Sequence, residues 1–336
     1  MIINRTRFLF NLLLIPFLLS SQNKHEKDYS ILFYNVENLF DCDNDSLTND
    51  DEFTPTDYKH WTPYRFYQKV NGISKVILSA NAWNPPQIIG LCEIENTYAL
   101  KQLIYHSGLN NQSYRYIHFD SPDKRGIDVA LLYRSKYFAP IESYPINCSN
   151  TESSYYTRDI LYCKGVMLQS DTLHIFVNHW PSKRGGELAS EKKRIVVAER
   201  IAEKVDSIYH TDIKAKIIVM GDFNATMNAE SLHSLITHQN LCSILQVKSI
   251  SNKPIAGSHK YQGEWSLIDH ILISEGLANS QSLKFEHEII QFNYLLEEDK
   301  SYSGFKPRRT YAGPRYIGGV SDHLPVILKV KKRKGN

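Results

Sequence analysis

The sequence predicts an α/β fold in which mixed β-sheets are sandwiched with helices. Three observations carry that expectation. Short apolar runs of β type recur along the 336-residue chain, between segments of helical periodicity. These strands and helices mix without strict βαβ alternation, which favours a mixed-sheet sandwich over a dinucleotide-binding fold or an eight-stranded barrel. No glycine-rich phosphate loop of either standard kind is present.

Composition agrees with a large core. The chain is 42% hydrophobic, 22% charged and 12% aromatic, which excludes collagen-like, low-complexity and disordered classes. A prior of about 150 residues per domain suggests two domains. The net charge of +3, from 39 Lys+Arg against 36 Asp+Glu, gives no support for a broadly basic nucleic-acid binder.

Residues 1–7 carry Arg5 and Arg7 and no acid, and residues 8–19 (FLFNLLLIPFLL) are apolar except for Asn11. Ser20 and Ser21 follow. A basic start, a short apolar run and a small-residue end read as a secretory signal over 1–21. The run is short for a membrane span, which needs about 20 apolar residues. An uncleaved anchor or a buried first helix is the competing reading. No Cys directly follows the apolar run, which disfavours a lipoprotein anchor. Export would remove Arg5 and Arg7 and bring the charge to about +1.

Residues 30–35 (SILFYN) form the first expected strand, and 41–57 a loop with seven acids and no base. Phe66, Val70, Ile73 and Ile77 recur at helical spacing within 64–80. A buried strand at 87–92 ends at Glu93, and a helix is expected over 96–106. Strands follow at 127–133, 160–166 and 173–178. Residues 187–209 read as a long helix with Ile195, Ala198, Ala202, Val205 and Ile208 on one face. Further strands are expected at 217–220, 266–273 and 325–330, and 331–334 as a solvated basic tail. Of the five cysteines, none makes a CxxC pair, which disfavours a structural zinc site. Cys148 and Cys163 are the nearest candidates for a bridge; buried free thiols are the alternative.

Chemistry gathers at the ends of the apolar strands. They run into Asn35, Glu93, His179, Asp222 with Asn224, Asp269 with His270, and Asp322 with His323. Carboxyl ends of strands are where α/β folds form ligand sites. Residues i and i+2 of an extended segment share a face, so Asp222 and Asn224 can address one ligand. By the same alternation His270 points away from Asp269. Two carboxylates, Glu93 and Asp322, with the amide of Asn35 make a thiol-free oxygen set. That set suits Mg²⁺, Mn²⁺ or Ca²⁺ rather than zinc or copper.

Six segments occur in order: FYNVENLFD, GLCEIEN, VNHWPSKRGG, GDFN, SLIDHILIS and SDHLP. The set resembles the endonuclease/exonuclease/phosphatase superfamily, which includes deoxyribonuclease I. VNHWPSK is also similar to a segment of secreted bacterial nucleases in that superfamily. The motifs span 35–323, which points to one domain over 22–336. The resemblance implies a four-layer α/β/β/α sandwich of two mixed sheets, and hydrolysis of phosphate esters with a divalent cation. It implies Asn35, Glu93 and Asp322 as metal ligands. Asp222 is then the group that orients or deprotonates the attacking water, and Asn224 contacts the phosphate. His323 touches the scissile phosphate and is oriented by Asp269. His179 is the candidate leaving-group acid, with Asp128 as its candidate support. Pairing of Asp128 with Arg125 or Arg134 is the simpler reading of that acid. Arg158 resembles a phosphate-contacting Arg.

Substrate phosphates need cations beside the catalytic centre. Lys183 and Arg184 follow His179, and residues 306–315 (KPRRTYAGPR) carry Arg308 and Arg309 and no acid. An exported nuclease acting on DNA or RNA is therefore the leading expectation, with no stable protein partner and a monomeric state. A phosphatase or phospholipase of the same superfamily, acting on inositol phosphates or sphingomyelin, is the alternative. An inactive binding module is the third. Periplasm and extracellular space stay equally open.

Overall fold

The computed structural model describes residues 28–82, 84–149, 156–167, 171–243 and 255–333. The expected signal at 1–21 lies outside them. In chain order the first strands and helices are β1 (Tyr29–Leu39), α1 (Pro63–Ser79), β2 (Ile88–Ile94), α2 (Thr97–Tyr105), β3 (Tyr114–His118) and β4 (Asp128–Arg134). Next come β5 (Phe138–Ile146), β6 (Ile160–Met167), β7 (Asp171–His179), α3 (Glu187–Thr211), β8 (Lys216–Asp222), α4 (Glu230–His238) and β9 (Leu241–Cys242). The last third holds β10 (His259–Tyr261), β11 (Glu264–Ser266), β12 (Asp269–Ser274), α5 (Glu275–Ala278) and β13 (Leu283–Ile289). It closes with β14 (Leu296–Glu298), β15 (Phe305–Pro307), β16 (Tyr311–Ala312), β17 (Arg315–Tyr316) and β18 (Val326–Lys332).

Two six-stranded mixed sheets form, in the orders β13-β18-β1-β2-β4-β3 and β5-β6-β7-β8-β12-β9. Their inner faces share one core. Along β8, Ile218 and Met220 join that core, while Ile217 and Val219 face a second core under α3 and α4. The strict alternation shows that both faces of the sheet are covered, which is why these strands read as continuous apolar runs. Gly90 of β2 marks a close approach of the sheets: a Cβ there would stand 2.9 Å from Met220 Sδ. With α1 and α2 over the first sheet, the result is the expected four-layer sandwich.

Three local expectations change, and the open question of the cysteines is decided for free thiols. The face of α3 is rotated: Arg194, Val197, Ile201, Val205 and Ile208 are buried, while Ile195 and Ala202 are only half-buried. The apolar pattern misses this because Arg194 sits on the core face, paired to Glu191 at 2.6 Å and donating to Pro181 O. The strand expected at 266–273 is broken, because Ser258 Oγ accepts the N–H groups of Ile268 and Asp269. Only from Asp269 does the chain join the sheet. All five cysteines are free; Cys148 lies in the outer core and Cys163 in the inner one, on opposite faces of the second sheet. Lys331 and Lys332 belong to β18 rather than to a tail, and Lys331 pairs with Glu286 across the strands at 2.7 Å.

His287 of β13 offers a thermodynamic test of this packing. It is 4% exposed and neither ring nitrogen has a hydrogen-bond partner. Burial, then the neighbouring His270, push its pKa down to about 3. Its folded value lies below its unfolded one, so its contribution is complete above about 6.5 and is lost as pH falls toward 3. Urea unfolding between pH 6 and 4 should therefore lose about 1.4 kcal/mol per pH unit through this one group. His287→Leu should remove that share of the slope; an unchanged slope would refute the assignment.

Candidate active site

The ladders of the second sheet line up three catalytic candidates. Parallel pairing of β7 with β8 sets His179 opposite Asp222, and antiparallel pairing of β12 with β8 sets Asp269 opposite the same residue. The three side chains form one row at the edge of the sheet. Gly221 permits the row: a Cβ there would lie 2.3 Å from Asn178 O. His270, one residue on, turns to the other face, meets Phe223 edge-on and contacts Ala225 O at 3.2 Å.

The first sheet closes the site from the other side. Asn35 of β1 donates from Nδ2 to Asp222 Oδ2 at 3.0 Å and lies 3.5 Å from Glu93 Oε1. Glu93 sits where the β2 ladder slips a register, at φ +63°. Its Oε2 accepts the Asn38 N–H at 2.9 Å, and its Oε1 is 3.9 Å from His179 Nε2. Four of the nine non-glycine residues with positive φ among the described residues (Glu37, Asn38, Glu93 and Asn224) belong to this region, and stored backbone strain of that kind concentrates at functional sites.

Asp222 stands between two imidazoles, with His179 Nε2 at 3.6 Å and His323 Nε2 at 3.8 Å. The two rings differ in charge. Burial, then the positive charges of Arg158 and Arg125, hold His179 well below its ordinary range, so it is neutral. His323 is buried too, but Asp269 at 2.7 Å from Nδ1, then Asp222, lift it well above its ordinary range. Burial and the nearby Asp269 push Asp222 up to about 7. Asp269 is held in turn by the Ser258 hydroxyl at 2.5 Å.

Asp322 projects beside His323, and His323, then Arg309, keep its carboxyl below the usual range despite burial. Arg309 Nη2 reaches Asp322 Oδ2 at 2.8 Å and Arg309 Nε reaches Glu37 Oε1 at 3.3 Å. Behind them Lys69, only 2% exposed, donates to Thr310 Oγ1 and Val320 O. Burial drives Glu37 up to about 7 and Lys69 down to about 8. Sequence reasoning missed both. Glu37 stands two residues after Asn35 in the same segment, and Lys69 is a lone base on the apolar face of α1.

The other candidates disperse. Asn224 donates to Trp180 O at 3.0 Å, and its N–H caps Asp222 Oδ1 at 2.9 Å. Arg158 is buried, paired to Asp123 at 2.9 Å and donating to Trp180 O, so it braces the turn after His179. Lys183 pairs with Glu187 at 2.9 Å and Arg184 is exposed. Arg308 is exposed and donates to Ile317 O. Asp128 pairs neither with Arg125 nor with Arg134: it accepts from Ser121 and lies 3.2 Å from His118 Nε2. His179 Nε2 instead faces Glu93 and Asp222, and its Nδ1 has no hydrogen-bond partner.

The donors fit a hard divalent cation. Glu93 and Asp322 offer carboxylate oxygens and Asn35 an amide oxygen that also accepts the Glu37 N–H at 2.9 Å, a thiol-free set. Cys92, the sulfur beneath the acids, is kept a neutral thiol by burial and then by Asp222, so it does not compete as a ligand. Ligand atoms of Asp222, Asp269 and His323 also lie within 4.8 Å of one another. There the positive charge is supplied by the His323 proton itself, held at 2.7 Å from Asp269.

A sequence model of the Endonuclease/Exonuclease/phosphatase family matches residues 30–332, and the chain belongs to that family of phosphoric ester hydrolases, which generally use divalent metals. No curated protein matches the chain. Among solved structures, the human Nocturnin catalytic domain with bound sulfate is 16% identical, covering 91% of this chain and 95% of its own at a TM-score of 0.57. A mannosyl-6-phosphatase of Bacteroides thetaiotaomicron is 16% identical, covering 90% and 99%, also at 0.57. TDP2 of D. rerio complexed with a single-strand DNA product is 14% identical, covering 91% and 99%, at 0.53. These likenesses establish the shared fold.

The charge on His323 is testable by itself. Asp269→Asn keeps the shape of the partner and removes its charge, so the His323 pKa should fall by one unit or more. Two-dimensional NMR of the imidazole protons reads it; an unmoved titration would show that Asp269 is not the source of the shift.

Proposed function

We propose that this protein is an exported, monomeric, divalent-metal-dependent nuclease, most active on DNA. The observation that supports this reading is the placement of Asp222 between a neutral and a charged imidazole, beside an all-oxygen donor set. Asn35, Glu93 and Asp322 would hold the cation, which as a Lewis acid neutralises charge on the phosphoryl oxygens. Asp222, at about 7, is matched to taking a proton from an attacking water near neutral pH. His323 enters charged and donates from Nε2 to the phosphate, while Asp269 accepts from Nδ1 and fixes the orientation of the ring. His179 enters as a neutral imidazole, so the charged donor of the free protein is His323; His179 gains a proton only as negative charge gathers beside it.

The exposed Lys183, Arg184 and Arg308 are the cations left to meet substrate phosphates outside the centre. Arg309, tied to Glu37 and Asp322, instead sets the charge of the site. Export follows from the basic and apolar character of residues 1–21.

Incubation with plasmid DNA should give degradation with Mg²⁺ and none with EDTA. Asp222→Ala or His323→Ala should lower the rate by about 10³-fold or more. A wild type inert on DNA and RNA, yet active on a phospholipid or a sugar phosphate, would replace this reading with the phosphatase or phospholipase one. The acid limb of kcat/KM supplies a second check. Only deprotonated Asp222 can accept a proton, so activity should rise about tenfold per pH unit up to about 7 and then level. A limb at the ordinary carboxylate value, about 4, would assign the base elsewhere.

A further inference from the structure

Two small hairpins stand beside the proposed active site, and the chemistry above leaves them without a task. The first, β10–β11, turns through Gln262 and Gly263, both at positive φ. The second is β14–β15. A buried ion pair pins them together: Lys260 Nζ lies 2.9 Å from Asp299 Oδ2, with the side chains 2% and 4% exposed, and donates to Ser303 O. Gly263 brings them closer still, since a Cβ there would lie 2.8 Å from the Tyr302 ring.

The first hairpin is also fastened to the catalytic centre. The His259 ring lies 4.7 Å from that of His323. Ser258 holds Asp269 through its hydroxyl and accepts the Leu324 N–H through its carbonyl. Between the hairpins and the centre is a cavity of about 320 Å³. Asp322, Arg309 and His259 line its inner end, and Tyr261, Tyr302 and Lys306 line its outer part. Tyr261 is 67% exposed and Tyr302 47%, and of the exposed tyrosines among the described residues these two line this cavity.

We propose that this cavity takes one nucleobase of the substrate, stacked on Tyr261 and Tyr302, next to the phosphate held at His323. The inference rests on the nuclease reading and names the part of the substrate that the chain recognises. The walls offer aromatic faces to a flat ring. Lys260 and Asp299 satisfy each other, and Asp299 Oδ1 already accepts the N–H groups of Ser301 and Tyr302. Gln262, Ser301 and the phenol hydroxyls remain as polar groups on the lining, and the phenol faces offer a surface on which any base can stack. Lys306 adds a cation at 36% side-chain exposure, 3.6 Å from Glu297. The opposite flank of the site is unsuited to a polyanion. A cavity of about 790 Å³ on the Glu95 and Asp128 side is lined by Asp41, Asp43, Asp45 and Asp120 as well. Repulsion there directs a strand toward the hairpins.

The test uses the full chain, a single-stranded oligonucleotide and the same strand carrying abasic positions. Tyr261→Ala should raise KM for the intact strand about tenfold and leave kcat unchanged, a loss of about 1.4 kcal/mol, within the span measured for base stacking. It should have little effect on the abasic strand, and Tyr261→Phe should behave as wild type. Thermal melting checks that the variant, altered at an exposed site, stays folded. Equal KM for wild type and Tyr261→Ala on the intact strand, or the same loss on both strands, would overturn the subsite and leave the nuclease reading standing. Fluorescence anisotropy with EDTA, free of turnover, separates the two failures. If the wild type cleaves no nucleic acid the nuclease reading falls. The subsite then stands only if the intact strand still binds about tenfold more tightly than the abasic one. A sugar phosphate whose KM rises in Tyr261→Ala would overturn the nucleobase assignment.

Discussion

The pair of His323 with Asp269 is the interaction on which the rest of the site depends. Asp222 and Asp269 stand opposite each other on adjacent strands of one sheet, where two buried carboxylates repel. His323 arrives on the segment leading into β18 of the other sheet and places its charge between them. The bond thus fastens the two sheets at the mouth of their interface. Asn35 makes a second crossing by donating to Asp222 from β1. Breaking one member of such a buried set leaves an uncompensated charge, so the chemistry and the closure of the sandwich share the same atoms.

A second network governs the flank. Lys69, Glu37, Arg309 and Asp322 form a chain of alternating charge, buried at Lys69 and Glu37 and half-exposed at Arg309, that runs from α1 to Asp322. Buried ion pairs of this kind seldom add much stability, but they hold a geometry. Here the geometry held is that of Asp322, so a helix on the outside of the first sheet takes part in shaping the site. The near-neutral net charge of the chain conceals this arrangement: acids dominate one flank, and cations with exposed tyrosines the other.

Much of this was legible in the sequence. The central strands β1, β2, β4, β6, β7, β8 and β18 were anticipated within a few residues, because strands covered on both faces write themselves as apolar runs. The strands that went unread are edges. β3, β5 and β13 each end a sheet, and β5 carries Pro140 and Pro145, which only an edge tolerates. Their half-solvated patterns mix polar and apolar residues and blur the signal. The small hairpins β10–β11 and β14–β15 were equally silent, since three-residue strands have no measurable period.

The sequence by itself determined the types of residue that end each apolar strand, and so the set Asn35, Glu93, His179, Asp222, Asp269, Asp322 and His323. It did so because a core has no use for polar groups at those positions, and their recurrence in one order is a local property of the chain. Tertiary structure alone decided charge and direction. Which histidine carries the proton depends on which carboxylate lies within 3 Å of it, and Asp269 and His323 are 54 residues apart. Which arginine is tied down depends on partners equally remote: Arg158 is held by Asp123, and Arg309 by Glu37 and Asp322. Electrostatic energies fall off over a few ångströms and with burial, and neither quantity is written in the order of the residues.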